Sequence, residues 1–360
     1  MSEDLYEKLW QSINKHGIGM APAKSGVELR LLAKMFTEEE ARMYMHLTED
    51  LETPEVIAAR AKQDPEEVAS LLKRMTDRGL TFPKRKGDTV YYAAPPFAHG
   101  LIENQTGKMD KEFAQIYEEY KFAEKIIKGP EVKRRLEFKM PLRVVPVMEP
   151  INTSRPIAAY EDAKAIIMKK DRIAVAKCLC AEQQQILESD CKQPIEVCLM
   201  FGFYAEYYVE TGMGRWITQE EALSILDKSE EFGLVHQITN YLDTDAMCNC
   251  CWDCCGLLQV VKTVPNPAEL IVSNYFAQSD PELCNGCGIC VDRCPIDAIT
   301  LSDEEINEIN LDRCVGCGLC ISTCKTGAMT LVSKPDDKRD DPPVENLFMK
   351  SSVKSWFMVS

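Results

Sequence analysis

Nowhere in this 360-residue chain is there a run of about eighteen apolar residues, the length needed to span a bilayer. The amino-terminal MSEDLYEKLWQ is acidic and lacks the basic, apolar, small-residue order of a secretory signal, so the sequence predicts a cytoplasmic protein. Positive charge is also short: 42 Lys and Arg against 57 Asp and Glu leave a formal net charge of −15. Such a surface repels a polyphosphate, which argues against wholesale nucleic-acid binding. Neither GxxxxGK[ST] nor GxGxxG occurs, and this removes the usual cradles for nucleotide, flavin and NAD phosphates. The apolar fraction of 45% is that of an ordinary globular protein, long enough here for two or three domains.

Cysteine is what the chain has in excess. Seventeen of them in a reducing compartment point to metal ligands rather than disulfides. Eight fall in two matching runs: Cys284, Cys287, Cys290 and Cys294 are echoed by Cys314, Cys317, Cys320 and Cys324. Three thiolates spaced two residues apart on a tight loop wrap three corners of a four-iron cubane, and the fourth corner takes a cysteine from the other run. Cys284, Cys287, Cys290 and Cys324 are therefore assigned to one 4Fe-4S cluster, and Cys314, Cys317, Cys320 and Cys294 to a second. Disulfides in a secreted protein and structural zinc are the competing readings. Two matching runs of four, with glycines between the ligands, favour clusters.

A thirty-residue offset superimposes CNGCGIC...CPIDAITL on CVGCGLC...CKTGAMTL, an internal duplication. Gly286, Gly288, Gly316 and Gly318 let the backbone approach a cluster at positive φ. Over roughly residues 276 to 333 the chain closely resembles bacterial-type two-cluster ferredoxins, which implies a ferredoxin-like fold and one-electron transfer. Lys325 replaces the proline that usually follows the last cysteine, without removing a ligand. Between Ala277 and Ser333 there are nine acidic and three basic side chains, so the complementary redox partner has a basic docking face.

Toward the amino end, Leu5, Leu9 and Ile13 mark a short helix. Thr37 with Glu40 forms a capping box, Thr53-Pro54 opens a second helix, and Asp64-Pro65 with Glu67 opens a third that stops at Gly79. LTFPKRK, Gly87-Asp88 and TVYYAA then predict a hairpin. By order of elements, residues 31 to 100 resemble winged-helix domains of transcription factors. In that comparison the reading helix begins with Glu66 and Glu67, which suit the helix dipole and repel phosphates, so a docking or structural role is favoured over DNA binding. The cluster Lys84, Arg85 and Lys86 reads as a solvated turn. From Asp110 to Ile127 the apolar spacing predicts a connecting helix. Lys133, Arg134, Arg135, Lys139 and Arg143 form a basic patch that reads as a solvated face rather than a phosphate or acidic-partner site.

The nine remaining cysteines lie in the centre: Cys178, Cys180, Cys191, Cys198, Cys248, Cys250, Cys251, Cys254 and Cys255. In RIAVAKCLC the alternation puts Cys178 and Cys180 on one face of a strand, and Cys191 and Cys198 complete a candidate quartet. Adjacent cysteines in CNCCWDCCG point different ways in extended chain, so those five need not serve one cluster. At least one further iron–sulfur cluster is expected here. This segment resembles a cysteine-rich module found beside ferredoxin domains in anaerobes, and Cys254-Cys255-Gly256 resembles the CCG motif of heterodisulfide-reductase-like subunits. His236 reads as a satisfied strand histidine rather than a ligand.

The fold expected is α+β, with a winged-helix-like domain with its extension (1–109), a central cysteine-rich α/β domain (110–275), a two-cluster domain (276–333), and a charged, proline-rich linker with a tail (334–360). The function expected is iron–sulfur electron transfer as an oxidoreductase subunit or partner. A redox-sensing winged-helix regulator and a reductase using the central cysteines on a substrate are the alternatives.

Overall fold

The computed structural model describes residues 3–16, 19–125, 142–146, 161–189 and 191–343. Lys133, Arg134, Arg135, Lys139 and the end of the tail lie outside them.

Helix α1 (Glu3–Ile13) buries Leu5, Leu9 and Ile13 against α2 (Val27–Met35) and α3 (Glu38–Tyr44). The capping box at α3 is formed in full: Thr37 N–H donates to Glu40 Oε2 at 2.8 Å, and Glu40 N–H donates to Thr37 Oγ1 at 3.3 Å. Helices α4 (Pro54–Ala61) and α5 (Pro65–Asp77) follow; Asp64 Oδ1 accepts from the N–H groups of Glu66 and Glu67. Strands β1 (Phe82–Lys86) and β2 (Thr89–Ala93) form the predicted hairpin. Val68, Leu71, Leu72 and Met75 seal α5 onto this core, leaving Glu66 and Glu67 exposed.

The hairpin does not stand free in solvent. Phe82 packs edge-on against Tyr207 with ring centroids 4.9 Å apart, and Lys84 Nζ pairs with Glu206 at 2.7 Å. Both partners lie on a helix of the central unit, so Lys84 is not the solvated residue the sequence predicted. Helix α6 (Lys111–Lys125) crosses from the first core toward the central cysteines.

The centre is built on a six-stranded sheet, ordered β3–β7–β8–β5–β4–β6, with every neighbouring pair antiparallel. Its strands are β3 (Leu142–Val144), β4 (Ile173–Lys177), β5 (Glu196–Phe201), β6 (Gly214–Ile217), β7 (Val235–Thr239) and β8 (Ala246–Cys250). Strand alternation sorts its side chains. Ile173, Val175, Leu199 and Phe201 face α7 (Ala163–Met168) and α10 (Gln219–Glu231). Ala174, Ala176, Cys198 and Met200 face the aromatic helix α9 (Gly202–Glu210) and the hairpin. The thiols of the sheet thus lie on the face turned toward the amino-terminal core.

Two expectations change in the structure. The strand carrying RIAVAK stops at Lys177, beyond a register shift at Ala176/Lys177, and Cys178 instead caps helix α8 (Leu179–Ile186). Arg143 is not part of a solvated patch: it is 1% exposed, donating from Nη1 to Glu161 Oε1 at 3.1 Å and from Nε to Asn240 Oδ1 at 3.1 Å. Glu161 also accepts from Tyr275 Oη at 3.0 Å and Asn274 Nδ2 at 2.6 Å. The charged segment after Ser333 joins the same network, because Asp340 N–H donates to Asn274 Oδ1 at 2.8 Å and its carbonyl accepts from Arg143. That segment packs through its backbone, which hydropathy does not report.

Removing one partner of a buried pair leaves an uncompensated charge, a loss of roughly 3 kcal/mol. Glu161→Gln is therefore expected to lower the urea midpoint followed by circular dichroism. An unchanged midpoint would mean that the pair contributes nothing.

Candidate iron–sulfur centres

The carboxyl-terminal unit repeats one local design. A cysteine loop enters a short helix, α13 (Ile289–Arg293) or α14 (Leu319–Ser322), and the chain then turns at Cys294 or Cys324. Gly288 and Gly318 precede the helices at φ 76° and 79°. At Gly286 and Gly316 the demand is stronger. Both have positive φ, and a Cβ would stand 2.6 Å from Glu305 O in the first and 2.2 Å from Tyr275 O in the second. The turn after each run is also shared: Asp297 N–H reaches Cys294 O at 3.4 Å, and Gly327 N–H reaches Cys324 O at 3.3 Å. Lys325 therefore keeps the turn that Pro295 makes in the first half. Strands β9 (Tyr275–Ser279) and β12 (Met329–Ser333) pair around β10 (Ile299–Leu301) and β11 (Asn307–Ile309), which pair with each other.

Cys294, Cys314, Cys317 and Cys320 line one small cavity, walled by Pro295, Ile296, Ala298, Ile299 and Val315. The first run's last cysteine thus joins the second run's first three. Ala298 N–H points at Cys294 Sγ (3.2 Å) and Ala277 N–H at Cys314 Sγ (3.4 Å), contacts of the kind that tune a cluster's potential. Burial pushes the Cys317 thiol up to about 12 and raises those of Cys294 and Cys320. The protein alone does not favour thiolates here. A multiply charged iron core would supply that stabilisation, and an apolar, thiol-lined cavity with N–H donors fits one.

The other three-cysteine loop is more open. Cys287 is exposed, Cys284 half-buried and Cys290 buried, with Asn307 Nδ2 3.7 Å from Cys290 Sγ. Cys324 N–H bonds to Ile321 O at 3.0 Å, as Cys294 N–H bonds to Val291 O at 3.1 Å, so the two fourth cysteines occupy equivalent backbone positions.

Six central cysteines lie near one another, each thiol's titration shifted by the next in the circular order Cys178, Cys180, Cys255, Cys250, Cys248, Cys198 and back to Cys178. Several elements assemble it. Cys178 caps α8, Cys255 caps α11 (Gly256–Thr263), Cys198 comes from β5, and Cys248 and Cys250 alternate along β8. Cys180 is held well below the usual thiol range by S–H donation from Cys178 and Cys255, helped by Lys121 and the Gly256 N–H. Donation from Cys198 and Cys250, with His99 nearby, does the same for Cys248. Helix N-termini and a cation beside thiols favour thiolates. The ring's other thiols are raised as donors.

Cys191, Cys251 and Cys254 group instead with Asp253, beside the ring, since Cys178 and Cys180 pack against the same small core. The quartet expected from sequence, Cys178, Cys180, Cys191 and Cys198, is therefore divided between two places. Cys250-Cys251, at the end of β8, and Cys254-Cys255, where the turn meets α11, are each split, one thiol to either group. His236 is a buried strand histidine with a side-chain partner. Its Nδ1 lies 2.5 Å from Asn249 Oδ1 on the neighbouring strand, and burial lowers its pKa to about 4.

Polar side chains border the ring. Burial opposes the charged form of His99, but Glu103, Cys248, Asp245 and Cys180 outweigh it and raise its pKa. Glu103 Oε1 lies 4.0 Å from His99 Nδ1, and Tyr204 Oη donates to the His99 carbonyl at 3.2 Å. His99 and Glu103, four residues apart, and Asp253, between Cys251 and Cys254, carry no sequence signal that sets them apart from ordinary surface residues.

Residues 283–328 match the family model described as a 4Fe-4S dicluster domain. This portion of the chain is an iron–sulfur domain, and it supports iron–sulfur electron transfer. Searches of curated proteins and of solved structures returned no match. Among the described residues no helix is long and apolar enough to cross a membrane.

Proposed function

We propose that the protein is an electron-transfer component of an oxidoreductase system, holding two cubanes in its carboxyl-terminal domain and a further cluster in the central thiol ring. The observation that carries this reading is one apolar core. It contains Cys250 and Cys255 of the ring together with Cys290, Cys314, Cys317 and Cys320, bridged by Val235, Leu258, Val261 and Ile296. When bound, each 4Fe-4S cluster supplies reversible one-electron chemistry. The chain's part is to hold three thiol sites: the ring and the Cys314 site, both largely withdrawn from solvent, and the Cys284–Cys290 loop, where Cys287 is exposed.

Arg293 and Arg313 keep these units in register. The Arg293 guanidinium caps α10 by donating to Glu231 O at 3.0 Å and to Glu230 O. Arg313 donates to Ile296 O at 2.7 Å and to Val264 O and Lys262 O at 3.2 Å. Two of the three basic side chains between residues 277 and 333 are thus directed inward. Apart from the exposed Lys325, the charge that remains outside is acidic, around the exposed Leu283, Ile289 and Leu301 near Cys287. A redox partner with a basic rim and an apolar centre fits that surface. Its association is expected to weaken steeply with salt in stopped-flow measurements; a salt-independent on-rate would contradict the docking mode.

The amino-terminal unit is proposed as a winged-helix-like docking element that walls the ring, not as a DNA reader. Glu66 and Glu67 open its exposed helix, Arg74 pairs with Glu39 at 3.2 Å, and Lys84 is occupied by Glu206. Mobility shifts with genomic fragments at physiological salt are expected to show no tight, specific complex. Specific binding near 10⁻⁸ M or tighter, at about the strength typical of regulators, would favour the redox-sensing regulator instead.

A second reading rests on the ring itself. Four thiolates complete a cubane, and six exceed that number by two. With His99, Glu103 and Tyr204 beside them, the surplus thiols fit a site that reduces a small substrate. Substrate-dependent reoxidation of the reduced protein without a partner protein would support it, and its absence across thiol and disulfide substrates would leave electron relay alone.

A further inference from the structure

We infer that Cys191, Cys251, Cys254 and Asp253 form a mononuclear metal site, separate from every iron–sulfur centre, that binds one zinc ion. Their four ligand atoms all lie within 4.8 Å of one another. Cys191 Sγ is 3.9 Å from Cys251 Sγ and 3.8 Å from Asp253 Oδ1. A tetrahedron with metal–sulfur bonds of about 2.3 Å has edges of about 3.8 Å. These donors are thus already spaced for a single ion.

The local sequence agrees with the geometry. Cys251-Trp252-Asp253-Cys254 is a C-x2-C pair, the spacing of zinc-binding turns. Its turn is fixed from within: Cys255 N–H donates to Cys251 O at 3.0 Å, and Gln259 Nε2 donates to the Asp253 carbonyl. Cys251 and Cys254 are buried, and Cys191 arrives from the loop before β5. Three thiolates and a carboxylate suit a d¹⁰ divalent ion, which has no preference for an all-sulfur or a redox-active site. Four protein donors close the shell, so the site is structural rather than catalytic. The same turn carries Cys250 and Cys255 on its other side, and the ion would tie it to the Cys191 loop.

The test is metal analysis of the full-length protein, purified anaerobically from medium containing both iron and zinc. One zinc per chain is expected, with zinc-edge X-ray absorption giving three sulfur neighbours at about 2.3 Å and one oxygen at about 2.0 Å. Cys191→Ala should lose the zinc, while Cys284→Ala should keep it. Absence of zinc from the wild type, an all-sulfur shell, or a Cys191–Cys251 disulfide in the isolated protein would overturn the proposal. So would Cys191→Ala losing iron and keeping zinc. Should Cys191→Ala not fold, the wild-type absorption spectrum decides alone.

Discussion

Cys250→Ser protein, purified without oxygen, is expected to carry about four fewer irons per chain than the wild type and to keep the eight or so of two cubanes. Cys250 stands between Cys248 and Cys255 in the ring and also belongs to the core shared with Cys314 and Cys317. On the proposed assignment, replacing it removes a ring ligand that shares its apolar core with the neighbouring centre. Cys178→Ser, at the cap of α8 on the ring's far side, should have the same effect. Iron and acid-labile sulfide assays with low-temperature EPR read both variants. If both keep the wild-type iron content and spectrum, neither Cys178 nor Cys250 is a cluster ligand.

The second large effect concerns the crossing between halves. Cys294→Ala is expected to empty the site whose other ligands are Cys314, Cys317 and Cys320, because Cys294 lines their cavity rather than that of its own run. About half of the domain's eight or so irons should go, and the reduced protein should lose the spin coupling between two neighbouring clusters. Gly316→Val gives an independent version with every ligand in place, since its Cβ would meet Tyr275 O at 2.2 Å at a φ of 66°. Unaltered iron in both variants would contradict the assignment of that cavity.

What could be read from the sequence follows from range. Capping at Thr37 and Asp64, the Gly87-Asp88 turn and the duplicated cysteine runs are written in residues a few positions apart, and each is present in the structure. The resemblance of the two runs extends to the backbone, down to paired glycines at matching φ. The central cysteines were visible as a group but not as a partition. Cys191 joins residues sixty positions later only through the sheet, and Asp253 is an ordinary acid until the turn presents it. In CNCCWDCCG the adjacent cysteines fall into different groups of thiols. Alternation misled at Cys178, where the strand gives way to a helix cap after a register shift. Arg143 fails for the opposite reason: a charge run looks solvated until Glu161 and Asp340 arrive from distant segments.

The central claim is that one core joins a cluster-bearing thiol ring to a two-cluster domain. Iron and acid-labile sulfide per chain, determined on full-length protein purified anaerobically and checked by Mössbauer spectroscopy, test it most directly. The account predicts clearly more than the eight or so irons of two cubanes, all in iron–sulfur form. Eight irons or fewer, with the six ring thiols free to react with an alkylating reagent in the folded protein, would contradict it.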